Sequence, residues 1–215
     1  MLRLAAVMVL VMTLAAPAFA IAQPQRLFGT VEFKSGNLQA LPKWLDILDK
    51  LKEENKTFSA CAADFNACSS PVMRHWYEFE KNARTLKTDR EKIKAVNDYV
   101  NNWPYKNDIS AWQKSDYWAT PSEFFANSGD CEDFAITKYF LLTRLGIAKD
   151  RMRLVVVNDT LRQIPHAVLA VYTEDDILIL DSLVNAALSH KRFLQYIPYY
   201  SVNKNSRWAH IKPLN

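Results

Sequence analysis

Apolar residues in the first half of the chain recur every three or four positions, which is the spacing of one face of an α-helix. The sequence Thr88-Asp89-Arg90-Glu91 has the form of a capping box, and Pro104 stops the helix that follows it. Residues 23–41 lack this periodicity and are expected to be loosely structured. The pattern predicts helices over 42–51, 74–86 and 89–103.

In the second half the pattern changes to short runs of β-branched and aliphatic residues. Two of these runs, 166–172 and 177–181, are separated by four polar residues and predict a β-hairpin. A further helical piece is expected over 189–196. Helices that precede an antiparallel sheet define an α+β fold. The predicted strands are 153–157, 166–172, 177–181 and 207–211.

A long connection rich in Trp and Tyr, residues 104–130, joins the two halves, and loops of this length are uncommon unless they build a site. After Gly129 an amphipathic run extends to Gly146, which suits the C′ position of a helix. Cys131 would then lie in the first helical turn, where free backbone N–H groups and the helix dipole favour a thiolate. Because a thiolate attacks carbonyl carbons, Cys131 is a candidate nucleophile.

His166 and Asp181 could complete a catalytic site with Cys131. If the hairpin turn is centred on residues 174–175, Asp181 lies opposite Val168, diagonal to His166 and on the same face. His166 would then accept the thiol proton, and Asp181 would hold the imidazole tautomer. Each residue could instead have a structural role. A histidine in a strand is more often structural than catalytic, an aspartate at a strand end usually belongs to a turn, and a cysteine in a helix usually packs as a small buried residue.

The N-terminus has the pattern of a secretory signal. Arg3 precedes an apolar run, and Ala18-Phe19-Ala20 forms a small-residue cleavage site. An uncleaved anchor is the alternative, and no other apolar segment is long enough to span a bilayer. The predicted parts are a signal peptide over 1–22 and a single domain over 23–215, with a helical lobe at about 37–103 and a catalytic core at about 104–211.

Three cysteines in an exported chain raise the question of pairing. On a continuous helix Cys61 and Cys68 would be about 10 Å apart, which is too far for a disulfide. A disulfide between them therefore requires a bent segment, which the polar residues before Pro71 permit. Cys131 would then be a free thiol in an oxidising compartment, a liability unless the thiol is buried or used.

Composition indicates a chain that folds around a core. Hydrophobic residues make up 49% and aromatic residues 12%, which excludes a disordered class. The formal net charge of +4 is mild, and Lys and Arg do not cluster in a stripe. Nucleic acid is therefore not an expected partner.

Four sequence elements resemble those of the bacterial transglutaminase-like cysteine proteinases. The resemblance spans roughly residues 37–208 and implies a papain-like or transglutaminase-like cysteine proteinase fold, with Cys131 as nucleophile, His166 as base and Asp181 as orienting residue. The elements are Trp118-x-x-Pro121, Gly129-Asp130-Cys131-Glu132-Asp133-Phe134 followed by Ala-Ile-Thr-Lys-Tyr, Pro165-His166-Ala167-Val168-Leu169, and Leu180-Asp181-Ser182.

The resemblance also implies a biological role. It implies a periplasmic endopeptidase that cuts the N-terminal region of a large surface adhesin at a small-residue, Ala-Ala-type site. The cut would release the adhesin and promote biofilm dispersal. It further implies that an inner-membrane receptor, which senses cyclic di-GMP on its cytoplasmic side, sequesters the protease. The nucleotide itself is not expected to bind this chain, and the mature chain is not expected to insert into a membrane.

Calcium is the cofactor that the resemblance implies. Asp130, Glu132 and Asp133 crowd around Cys131, and three carboxylates in four residues repel one another and would raise the pKa of the thiol. A hard cation with oxygen ligands would relieve this repulsion. Alternatively, these acidic residues stabilise the helix N-terminus through its dipole, and Asp133 could hydrogen-bond within the turn.

Two other functions stay open at this level. A transglutaminase-type acyl transferase would use the same three residues and the same thioester, with an amine in place of water as the acceptor. A non-catalytic binding module is the third hypothesis, and an intact set of Cys131, His166 and Asp181 argues against it. The Cys131 backbone N–H is one natural oxyanion donor, and Trp118 or Gln113 could supply a second.

Overall fold

The computed structural model of the chain describes residues 26–213, so the predicted signal peptide lies outside the described residues. Within them, helices pack on one antiparallel sheet, which confirms the α+β class. No helix in residues 26–213 is long and apolar enough to cross a membrane. The elements are α1 Pro42–Ala63, α2 Pro71–Ala83, α3 Asp89–Asn101, α4 Asp108–Trp112, α5 Pro121–Asn127 and α6 Cys131–Arg144, with β1 Val31–Ser35, β2 Met152–Asp159, β3 Ile164–Tyr172, β4 Ile177–Leu180, β5 Leu188–Ser189, β6 Tyr196–Val202 and β7 Arg207–Ile211.

The sheet has the strand order β1-β7-β6-β2-β3-β4-β5, and each neighbouring pair is antiparallel. Successive side chains of a strand face opposite sides of the sheet. In β3, Leu169 and Val171 therefore join the main core under the helices, while Val168 and Ala170 join a smaller core on the other side. The sheet is thus buried on both faces at its centre.

Helix α1 is longer than the predicted 42–51, because Phe58 and Cys61 continue its buried face. The chain then bends through a short 3-10 turn at Phe65–Ala67. This bend brings the Cα atoms of Cys61 and Cys68 to 4.5 Å, and the two residues form the disulfide that the sequence left open. Cys131 is the free thiol, as expected from that pairing.

The connection over 104–130 is not a continuous loop, so that expectation is wrong. Asn107 caps α4 by accepting a hydrogen bond from the Ser110 backbone N–H, and Thr120 and Glu123 form a capping box at the start of α5. Short helices satisfy their end groups through such caps, which operate over only three or four residues.

Two further expectations are wrong at the sheet. Residues 189–196 are not a helix but contain the end of β5, a 3-10 turn and the start of β6. The loose segment expected over 23–41 is contradicted in its described part, 26–41, because β1 lies there and pairs with β7, with Val31 opposite Ile211. The sheet therefore starts before the helices in the chain, and the pairing that holds β1 joins residues too distant in sequence for a local pattern to reveal.

Candidate active site

Helix α6 begins at Cys131, and Asp130 is its N-cap residue. The Asp130 backbone N–H donates to Asp133 Oδ2 at 3.2 Å, which closes the first turn. Gly129 makes this turn possible, because a Cβ atom at that position would lie only 2.1 Å from Asp133 Oδ2. At the other end, Gly146 adopts a φ of 91° directly after the helix, as predicted for its C′ position.

The β3–β4 hairpin brings His166 and Asp181 together. Leu169 pairs with Leu180, which is the register given by a turn centred on residues 174–175. His166 Nε2 and Asp181 Oδ1 are 2.8 Å apart, and both side chains are buried. His166 Nδ1 makes no hydrogen bond to any residue in 26–213 and is the nitrogen left for a reacting group.

Asp181 is held by residues that the sequence did not point to. Tyr196 Oη donates to Asp181 Oδ2 at 2.5 Å, and the Leu183 backbone N–H donates to Oδ1 at 3.0 Å. Burial acts to raise the pKa of Asp181, but hydrogen bonds from His166, Tyr196 and Leu183 outweigh it and lower this pKa below its ordinary value. The carboxylate form of Asp181 is therefore favoured although the side chain is buried.

The backbone of Asp181 is fixed as well. The Lys138 ammonium donates to the Asp181 carbonyl at 3.0 Å, and Asn101 Nδ2 donates to the same oxygen at 2.9 Å. Lys138 lies two turns after Cys131 on α6, so the helix that carries the cysteine also contacts the strand end that carries the aspartate. Lys138 lies in the Ala-Ile-Thr-Lys-Tyr part of the Cys131 motif, but its contact with Asp181 joins residues 43 positions apart, which no local pattern reveals.

The Cys131 thiol is half-buried and donates to Glu132 Oε2 at 3.3 Å. Burial, and then the charges of Glu132 and Asp130, raise the pKa of the thiol, while the nearby Ala167 backbone N–H acts in the opposite direction. Within the described residues the thiol makes no hydrogen bond to His166. Burial, together with the local carboxylates, thus outweighs the effect of the helix dipole that the sequence suggested.

Five carboxylates cluster near the start of α6, and two of them, Asp130 and Glu132, lie close to the Cys131 thiol. In addition to the predicted Asp130, Glu132 and Asp133, the cluster includes Asp108 and Asp116 from the segment before α5. Oxygens of Asp108, Asp130 and Asp133 lie within 4.8 Å of one another, as do those of Asp108, Asp116 and Glu132. Sequence analysis missed Asp108 and Asp116, because they lie 23 and 15 positions before Cys131 and carry no recognisable spacing.

The chemistry of this cluster suits a hard cation. Asp108 Oδ1 and Asp130 Oδ1 are buried and have no hydrogen-bond partner within residues 26–213. Burial, with the neighbouring carboxylates, raises the pKa of Glu132 to about 9, and burial raises the pKa of Asp133 to about 8. Such a site must take up either protons or a cation, since buried carboxylates do not stay charged without compensation.

Asp133 also has a structural role. It is fully buried, and its Oδ1 accepts from the Ala119 backbone N–H at 2.6 Å while its Oδ2 closes the turn at Asp130. This is the hydrogen bonding within the turn that the sequence left as an alternative. Because each carboxylate oxygen has two lone pairs, the turn contact and a cation contact are compatible.

The two residues that the sequence suggested as second oxyanion donors, Trp118 and Gln113, lie in different parts of the fold. Trp118 packs edge-on against Trp44 in the main core, with ring centroids 6.5 Å apart, and Gln113 ends α4 in a left-handed conformation. The hydroxyl of Tyr105 instead lies close to the Cys131 backbone N–H. Tyr105 is 53% exposed and therefore accessible to solvent.

Helices packed on an antiparallel sheet, with a cysteine at a helix start and a histidine–aspartate pair on neighbouring strands, agree with a transglutaminase-like cysteine proteinase fold. The chain belongs to the bacterial transglutaminase-like cysteine proteinase family, whose model matches residues 56–215. The family resemblance carried by the four sequence elements is thereby confirmed. No match was found among curated proteins.

Solved structures of LapG from Legionella pneumophila are similar to this chain. One has a TM-score of 0.62 and 28% identity, covering 71% of this chain and 87% of that chain. A calcium-bound structure of the same protein has a TM-score of 0.61 and 29% identity, covering 72% and 86%. A structure treated with EGTA has a TM-score of 0.62 and 28% identity, covering 71% and 85%.

Proposed function

We propose that this chain is a periplasmic cysteine endopeptidase in which Cys131 is the nucleophile, His166 the general base and Asp181 the orienting residue. The observation that carries the proposal is the buried 2.8 Å contact between His166 and Asp181, with the backbone N–H of the next residue, Ala167, close to the Cys131 thiol, in a chain of a cysteine proteinase family. The contact at Nε2 leaves His166 Nδ1 to exchange a proton with the thiol.

In the first half of the proposed reaction, His166 Nδ1 takes the Cys131 proton and the thiolate attacks the scissile carbonyl carbon. The tetrahedral intermediate collapses, His166 returns the proton to the amine, and the amine leaves. In the second half, His166 removes a proton from water, the hydroxide attacks the thioester, and the acid product departs as the thiol re-forms. Asp181 stabilises the imidazolium in both halves, and the Cys131 backbone N–H donates a hydrogen bond to the oxyanion.

We further propose that the carboxylate cluster binds calcium. Asp130 and Glu132 flank the nucleophile, and Asp108 offers a buried oxygen without a partner, so these three residues are the main candidate ligands, with Asp133 and Asp116 beside them. A bound calcium ion would neutralise the carboxylates and order the segment before α6. Support also comes from the similar LapG structure, which is described as calcium-bound.

The proposed substrate is the N-terminal region of a large surface adhesin, cut at an Ala-Ala-type site so that the adhesin is released and the biofilm disperses. The proposed regulator is an inner-membrane receptor that senses cyclic di-GMP and sequesters the protease. The signal-like residues 1–22 and the similarity to LapG support this assignment. The half-buried Cys131 must be reached by an extended segment of the substrate, as adhesin regions outside folded domains would allow.

Incubation of the purified protein with an N-terminal fragment of a large adhesin from the same organism tests the proposal. Wild type is expected to cut the fragment in calcium buffer, and Cys131→Ala is expected to lose activity on the order of 10⁴-fold or more while keeping its melting temperature. Equal cutting by both proteins would contradict the nucleophile. Transfer to an added amine in place of hydrolysis would instead indicate an acyl transferase.

Calcium binding can be measured independently of proteolysis. Isothermal titration is expected to show calcium binding to Cys131→Ala, whose cluster is intact, and markedly weaker binding to Asp108→Asn. Asp64→Asn serves as the matched control, because Asp64 is exposed and lies outside the cluster. Equal affinity in Asp108→Asn would remove Asp108 from the ligand set, and no binding to Cys131→Ala would contradict the calcium site.

A further inference from the structure

The two oxygens of the Asp181 carboxylate have different partners. Oδ1 accepts hydrogen bonds from His166 Nε2 and from the Leu183 backbone N–H. Among the described residues, Oδ2 accepts a hydrogen bond only from the Tyr196 hydroxyl, at 2.5 Å. Lys138 and Asn101 contact the Asp181 carbonyl and not its side chain, so, apart from His166 itself, Tyr196 is the one side chain within residues 26–213 that hydrogen-bonds the carboxylate.

The ring of Tyr196 is itself fixed in place. It is buried and stacks on Phe193, with centroids 5.2 Å apart and planes at 16°. The ring of Phe28 meets it edge-on at 6.0 Å. Phe28 has a φ of 51°, an unfavourable left-handed conformation for a bulky residue, and its backbone N–H donates to His190 Nδ1 at 2.9 Å. Such strain persists where the surroundings over-determine a conformation, and here it holds an aromatic ring against Tyr196.

We propose that Tyr196 is a positioning residue for the proteolysis, acting through Asp181 to hold His166 in the reactive orientation. The inference rests on the proposed function, since it assigns a role within that catalytic set. With its hydroxyl on Oδ2, Tyr196 keeps Oδ1 directed at His166 Nε2, so that Nδ1 stays available to Cys131. Loss of the hydroxyl leaves Oδ2 buried without a partner, and the carboxylate then loses its fixed rotation.

The chemistry of Tyr196 suits a constant donor. Burial, and then the hydrogen bond to the Asp181 carboxylate, raise the pKa of Tyr196 well above its ordinary value. The phenol therefore keeps its proton at every pH at which a protease works. It can donate to the carboxylate throughout the catalytic cycle without taking part in proton transfer.

The test measures the rate at which iodoacetamide alkylates Cys131 at pH 7 in calcium buffer. Cys61 and Cys68 are joined in a disulfide, so Cys131 is the single reactive thiol of the chain. Tyr196→Phe keeps the ring and removes the hydroxyl, and the rate is expected to fall about tenfold to a hundredfold. Tyr199→Phe, on the same strand and 53% exposed, is the matched control and is expected to react like wild type.

A double-mutant cycle separates positioning from general loosening of the fold. If Tyr196 acts through Asp181, the variant Tyr196→Phe/Asp181→Asn reacts no more slowly than Asp181→Asn alone. On the adhesin fragment, Tyr196→Phe is expected to lower kcat with KM unchanged. A wild-type rate for Tyr196→Phe, or an additive loss in the double variant, would overturn the inference.

The same measurement distinguishes this inference from the proposed function. If folded wild type is alkylated no faster than the denatured chain with its disulfide intact, Cys131 is not an activated nucleophile and the proposed function fails. If wild type reacts fast and Tyr196→Phe reacts equally fast, the proposed function stands and only the role of Tyr196 fails.

Discussion

Gly129 shows how one residue without a side chain shapes the candidate site. Its backbone lies against the Asp133 side chain, where a Cβ atom would be 2.1 Å from Oδ2 and 2.7 Å from Cβ of Asp133. The same Asp133 carboxylate accepts hydrogen bonds from the backbone N–H groups of Asp130 and Ala119. Any movement of Asp133 therefore disturbs the first turn of α6 and, with it, the position of Cys131.

Replacement of this glycine is expected to be costly. Gly129→Ala should lower the free energy of unfolding by about 1–3 kcal/mol, because the added methyl group overpacks a buried turn. It should also slow alkylation of Cys131. Gly36→Ala is the control, since nothing lies within 4 Å of a Cβ at Gly36 and its stability should change little. Chemical denaturation of both variants makes the comparison, and equal stabilities would contradict the steric argument.

Helix α6 carries a buried cation as well as the cysteine. Lys138 is fully buried, and the Asp181 carbonyl is its hydrogen-bond acceptor. Burial lowers the pKa of Lys138 to about 7, an effect that the charge of Asp181 partly offsets. In the unfolded chain the lysine regains an ordinary pKa of about 10.4.

This difference predicts a pH dependence. Between about pH 7 and pH 10.4 the unfolded state binds more protons at Lys138 than the folded state, so this lysine makes the free energy of unfolding rise with pH in that window. Lys138→Met removes the effect. The stability of wild type relative to Lys138→Met is therefore expected to increase by a few kcal/mol from pH 7 to pH 10. Lys87→Met, an exposed control, should show no such trend, and parallel curves for wild type and Lys138→Met would refute the prediction.

At the scale of the whole molecule, the N-terminal residues complete the sheet. Strand β1 covers the edge of β7, and Glu32 pairs with Arg153 of β2 at 2.7 Å. Phe28 of the same segment packs against Tyr196. The family model matches residues 56–215, so the segment that contains Phe28 and β1 lies outside the matched part of the chain.

A chain that starts at Asn37 keeps Cys131, His166 and Asp181 but loses β1 and Phe28. It is expected to be several kcal/mol less stable than a chain that starts at Arg26, because the edge of β7 and the smaller core become exposed. Its Cys131 should be alkylated more slowly, since Tyr196 loses its edge-on contact with Phe28 and keeps only the stack on Phe193. Thermal unfolding and alkylation of the two chains test this, and identical behaviour would show that the segment is dispensable.

Local signals account for the predictions that succeeded. The capping box at Thr88 fixed the start of α3, Gly129 and Gly146 marked the limits of α6, and the turn at 174–175 gave the register that brings His166 to Asp181. Each of these depends on residues at most a few positions from the element it defines. Helix α5 carried the same kind of signal at Thr120 and was nevertheless missed.

The amino-acid sequence by itself determined the α+β class, the cysteine at the helix start and the family, because caps, turns and motifs are encoded in adjacent residues. Only the tertiary structure decided that Tyr196 and Lys138 hold Asp181, that Asp108 and Asp116 join the carboxylates around Cys131, and that β1 closes the sheet. These contacts join elements distant in the chain. Their partners are selected by packing and by the need to compensate buried charge, which no local pattern records.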